Sequence, residues 1–208
     1  MKLSVGLVIS WILKALMVLL ILMAVSRGMG SWVFGGIIAL ILCMIPTFIN
    51  WKWKATVPVA IDILVTLALL IHIGGEVTAA YFIMPHYDTI AHFTSSLLIA
   101  CIAFVAIYAL DRYWGGLSMD IYVMAFFVVI MAMALGVVWE FTEWASDIYS
   151  GTWAQRGNQD TMGDLLIDTL GGIVMAVIGV VLVKRGKMDK ATEGMGKLIE
   201  STTQKKKE

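Results

Sequence analysis

Six apolar runs, at residues 5–26, 32–50, 57–79, 89–110, 120–143 and 163–183, dominate this sequence. Each is close to the ~20 residues that an α-helix needs to cross about 30 Å of hydrocarbon. Lipid offers no hydrogen-bond partner to an exposed peptide group, so a spanning segment must satisfy its backbone within a helix or a closed barrel. Runs this long predict helices. The expected fold is an all-α integral membrane protein: a bundle of about six transmembrane helices over residues 1–184, with a charged cytoplasmic tail at 185–208. Composition agrees, since 60% of the 208 residues are hydrophobic and 14% charged, against about 25% charged in soluble domains. The mean hydropathy is +0.89. No internal repeat or second domain is evident. Membrane lipid is the expected partner and nucleic acid is not.

The distribution of cations predicts the orientation. Six spans put both termini on one side, which collects Lys2, Lys52, Lys54, Arg112, Lys184 and the lysine-rich tail, while Arg27 and Arg156 fall on the other. By the positive-inside rule both termini are cytoplasmic. Trp51, Trp53, Trp114, Trp139, Trp144 and Trp153 lie near expected span ends, as an aromatic belt requires. The first run has some features of a secretory signal, with Lys2 and Lys14 before Ala15–Val25 and small residues after it. Its length and Arg27 favour a retained helix, with Lys14 reaching toward the nearer interface. Asp62, near the cytoplasmic start of the third run, reads as a cap or an interfacial anion. Cys43 and Cys101 sit in apolar runs and behave there as small hydrophobes.

Between the last two runs the character changes. Residues 139–168 carry Glu140, Glu143, Asp147, Asp160, Asp164 and Asp168 against one cation, Arg156. On a helix, Glu140, Glu143 and Asp147 share a face, and Asp160, Asp164 and Asp168 follow an i, i+4, i+8 line. Residues 144–162 are expected to be a loop. Asp88 and His92, at i and i+4, start the fourth run on the same side, where His72 and Glu76 end the third. Charged groups in hydrocarbon cost a few kcal/mol each and so turn toward a bundle interior or a wet cavity, usually with partners. With one cation nearby, the balance must come from protons, water or a metal ion. A divalent metal held by Asp88, His92, Glu140 and Asp164 is the preferred answer, because carboxylates with an imidazole suit Mn, Fe or Zn. The competing reading is that Glu140, Glu143 and Asp147 face water in the loop, and that His92 only hydrogen-bonds to Asp88 or a neighbouring helix. His86 reads as a surface residue. Ala132, Gly136, Gly172, Ala176 and Gly179 read as small residues for close helix packing.

Tyr87-Asp88-Thr89-Ile90-Ala91-His92-Phe93, Trp139-Glu140-Phe141-Thr142-Glu143-Trp144 and Gln159-Asp160-Thr161-Met162-Gly163-Asp164, continuing through Asp168 to Gly172, together resemble the YjdF-type inner-membrane proteins. They are more distantly similar to the VanZ-like group, departing from it at Thr89 and Glu143. The likeness covers residues 81–183 by motif and the first three spans by hydropathy. It implies a multi-span protein of the prokaryotic cytoplasmic membrane with no established reaction. The envelope-linked antibiotic resistance of VanZ-like members is not carried over.

Three functions compete. One is a metal-dependent enzyme acting on a lipid or lipid-linked substrate, with Glu143 or Asp168 as general base. Another is a cation or proton transporter, although residues 173–183 and 125–138 offer no continuous polar path. The last is a non-catalytic membrane partner.

Overall fold

The computed structural model describes residues 4–53, 57–114 and 116–204. Lys2, Lys54 and Lys205–Lys207, on which the orientation reading partly rests, lie outside the described residues. Among the described residues the chain is helical without strands. Its elements are α1 (Val5–Ser26), α2 (Gly30–Trp53), α3 (Val59–Thr78), α4 (Ala80–Ile83), α5 (Tyr87–Tyr113), α6 (Ile121–Ser150), α7 (Asn158–Lys184) and α8 (Lys187–Gln204). All of these except α4 and α8 are long and apolar enough to cross a membrane. Large apolar side chains such as Leu19, Ile41, Phe126 and Val177 face outward along them, as lipid-facing surfaces must. This is a multi-pass membrane protein.

The span ends differ from the sequence reading in one consequential place. Residues 144–150 and 158–162, expected in a loop, are helical: the latter open α7 and the former continue α6, which runs 30 residues and stops at Gly151 with φ 64° in the left-handed region. At 1.5 Å per residue, α6 is about 45 Å long, so a turn or more extends beyond the hydrocarbon. The connection to α7 is short, residues 151–157, and Asp147 ties it down. Its carboxylate accepts from Thr152 Oγ1 (2.6 Å) and from the backbone N–H groups of Ala154 (2.7 Å) and Gln155 (3.0 Å). Asp147 is thus a loop anchor.

The chain forms two compact units, residues 1–87 with 191–208, and residues 88–190. In the first, α1, α2 and α3 pack around Met17, Ala24, Ala39, Cys43, Ile73 and Val77. Two expectations are corrected here. Lys14 does not reach for an interface and Asp62 is neither a cap nor an interfacial anion: they form a buried ion pair at 2.8 Å, with side chains 3% and 7% exposed. The Lys14 ammonium also donates to Ser10 Oγ (2.8 Å) and Thr47 Oγ1 (3.1 Å), and Ser10 donates to Asp62. A lysine deep in a span has its charge cancelled and its donors used inside the unit, which removes the reason to snorkel. His72 also belongs to this unit, with Nδ1 3.2 Å from Tyr81 Oη and its ring edge-on to Trp32 and Tyr81.

In the second unit α6 packs along α7, and α5 meets α7 where Gly171 backs onto Ser96. Its core includes Ala100, Phe104, Val128, Ala132 and Ala176. The first turn of α8 is held to α5 through Asp189, which accepts from Tyr108 Oη at 2.7 Å and lies 3.6 Å from Arg112.

Candidate metal centre

The second unit contains an unbalanced polar cluster. Asp88 and His92 come from the first two turns of α5, Asp164 and Asp168 from the second and third turns of α7, and Glu140 from α6. Each helix presents its residues by simple periodicity: the i, i+4 spacing of Asp88 and His92, and of Asp164 and Asp168, stacks both pairs on one face. Exposure falls along α7, with side chains 27%, 7% and 5% exposed at Asp160, Asp164 and Asp168.

His92 is the hub. Its Nδ1 lies 3.3 Å from Asp168 Oδ2, while Nε2 lies 3.9 Å from both Asp88 Oδ1 and Asp164 Oδ2. At 3.9 Å those two contacts are ion-pair separations and not hydrogen bonds. One ligand atom from each of Asp88, His92 and Asp164 can be chosen so that all lie within 4.8 Å of one another. Nε2 is buried without a hydrogen-bond partner, and so are both carboxylate oxygens of Glu140, a residue only 4% exposed. Among the described residues, Thr161 Oγ1 is the remaining buried side-chain group of that kind. Buried polar atoms are nearly always paired, so unpaired ones that belong to good metal ligands need an explanation. Glu140 lies close enough to Asp164 for their charges to interact.

The rim is different. Arg156, from the 151–157 connection, bonds Asp88 Oδ2 at 2.7 Å and has a side chain 32% exposed. Glu143 accepts from Trp139 Nε1 at 2.8 Å one turn above Glu140, and lies within electrostatic range of Asp88 and His92. The expected ligands Asp88, His92 and Asp164 are thus brought together, and Glu140 is buried near them. Asp168 lies against the opposite nitrogen of His92. Glu76 and His72 are in the other unit. His86 is exposed in a turn with φ 61°. Sequence alone offers no partner for Arg156 and only a packing role for Gly136. Yet Gly136 faces the Asp168 carboxylate, and a Cβ there would collide with it.

No solved structure matches this chain. A protein of Thermotoga maritima described as uncharacterized is 28% identical over 124 residues, covering 59% of this chain and 62% of that relative's length. The match therefore spans less than two thirds of the relative. A family pattern described as a predicted membrane protein family matches residues 8–185, taking in the first three spans as well as the motif-bearing ones. The chain belongs to the DUF2238 family of predicted membrane proteins.

Proposed function

We propose that the cluster binds a divalent cation at the outer membrane face and that the protein is a metal-dependent enzyme acting on a lipid or lipid-linked substrate. The observation that carries the reading is the buried His92 Nε2, which faces two carboxylates without a hydrogen-bond partner while the Glu140 carboxylate stands equally unpaired. Asp88, His92 and Asp164 supply the core of the ligand set and Glu140 completes it. One imidazole among carboxylates suits Mn, Fe or Zn better than Ca. Such an ion would polarise a substrate carbonyl and lower the pKa of a bound water.

The chain's own residues supply the remainder. Glu143, half-buried at the edge of the cluster and held by Trp139, is the proposed general base. Arg156 is the one cation within the cluster among the described residues, and it is engaged with Asp88. A substrate with several phosphates would lack a clamp, so neutral esters or amides fit better. The outward placement follows from the cytoplasmic termini predicted by the cation distribution. The VanZ-like likeness rests on the helix motifs and lends no activity to this reading.

The test is hydrolysis of ester-linked and amide-linked lipids by full-length protein in proteoliposomes. The reading expects turnover that EDTA abolishes and Mn²⁺ or Zn²⁺ restores, with E143Q losing about 10²–10⁴-fold in rate. Absence of turnover on both lipid classes, or turnover indifferent to EDTA and to E143Q, contradicts it.

A further inference from the structure

We infer that Asp168 is a positioning residue that aims His92 at the cation, and that Gly136 is the notch in α6 that lets Asp168 do so. This rests on the cation-binding reading above and assigns Asp168 a role apart from proton abstraction.

With Asp168 ionised, its carboxylate only accepts hydrogen bonds, and the 3.3 Å contact with Oδ2 makes His92 Nδ1 the protonated, donating nitrogen. In the neutral ring this leaves the lone pair on Nε2. That is the nitrogen that faces Asp88 and Asp164 and has no hydrogen-bond partner. A carboxylate behind a ligating imidazole fixes both tautomer and ring orientation. Asp168 stands behind the ring, away from the atoms that would hold the ion, so it is badly placed to take a proton from a substrate or water there. Glu143 on the rim is not so constrained.

The Asp168 carboxylate reaches that position because residue 136 has no side chain. A Cβ on Gly136 would collide with Asp168 Oδ2 and stand 3.0 Å from its Cγ and 3.2 Å from its Cβ. One turn earlier on α6 the situation is ordinary helix packing, since Ala132 meets Gly172 through its methyl group. Gly136 instead meets a buried charged group whose other neighbour is His92. Any side chain at 136 must push the Asp168 carboxylate off its line to Nδ1.

The experiment uses full-length protein in detergent micelles, titrated with Co²⁺, alongside ¹⁵N NMR of metal-free protein labelled at histidine. D168N and G136A should each weaken Co²⁺ binding by about 10–100-fold. T169V, which removes only a hydroxyl bonded to its own helix at Leu165 O, should leave it unchanged. In metal-free wild-type protein with the His92 ring in its neutral form, the ring proton should reside on Nδ1, and D168N should weaken that preference. Wild-type binding of Co²⁺ that D168N leaves intact overturns the inference. Wild-type protein that takes up no Co²⁺ contradicts the proposed function instead. The NMR then decides the orienting role alone, and a neutral His92 ring protonated on Nε2 in the wild type overturns it.

Discussion

Among the described residues two groups of charged side chains are buried, and they follow opposite rules. In the first unit Lys14 and Asp62 cancel one another, and the ammonium places its donors on Ser10, Thr47 and both Asp62 oxygens. In the second, Asp88, Asp164 and Asp168 gather around one imidazole, with Glu140 buried near Asp164. Arg156 is bonded to Asp88 at the rim, while His92 Nε2 and both Glu140 carboxylate oxygens have no hydrogen-bond partner. The first group is closed and asks for nothing. The second leaves polar atoms unpaired on its inner side. Burial of ionisable groups in a span therefore does not by itself mark a site; the imbalance does.

The largest expected effect tests the closed group. Removing one partner of a buried pair strands the other, at a cost of about 3–5 kcal/mol, whereas replacing both with apolar residues is often neutral. K14M and D62L singly should unfold at markedly lower denaturant than wild type in detergent, with K14M/D62L restored toward it. A double variant as unstable as the singles would mean that the network does more than cancel charge. The open group should respond in the opposite direction. In metal-free protein E140Q replaces a buried carboxylate that has no hydrogen-bond partner and should hold stability constant or raise it by about 1–3 kcal/mol, read by the same unfolding assay. A large loss there would show that Glu140 already has a stabilising partner.

A smaller effect concerns the rim. The Arg156–Asp88 pair is partly exposed, worth about 1 kcal/mol at most, and Asp88 cannot serve Arg156 and a cation equally well. R156Q should therefore tighten Mn²⁺ binding by up to about fivefold, measured by calorimetry. Weaker binding would make Arg156 a support of the site instead of a competitor. Smallest is D147N, which loosens the 151–157 connection and should speed proteolysis there without changing metal content.

Much of this arrangement was legible in the sequence, and the rest was hidden for identifiable reasons. The spans follow from hydropathy, because lipid forces continuous helices. The Asp88/His92 and Asp164/Asp168 pairs follow from i, i+4 spacing within one helix. The Lys14–Asp62 pair joins residues 48 apart, and no local pattern reveals which helices will face each other. Asp147 shared a helical face with Glu140, so periodicity alone could not separate a loop anchor from a buried ligand. The extension of α6 through Ser150 was obscured because Ser146, Asp147 and Ser150 look like loop residues, although Ile148 and Tyr149 continue the helix. Gly136 looked like any small residue in a packed membrane helix. Its neighbour across the interface is what sets it apart.

The most direct measurement is elemental analysis of detergent-purified wild-type protein, D88N, E140Q and K14M/D62L. The account predicts a stoichiometric divalent metal in the wild type and in K14M/D62L, and its loss from D88N and E140Q. A metal-free wild type, or equal metal content in all four proteins, would contradict it.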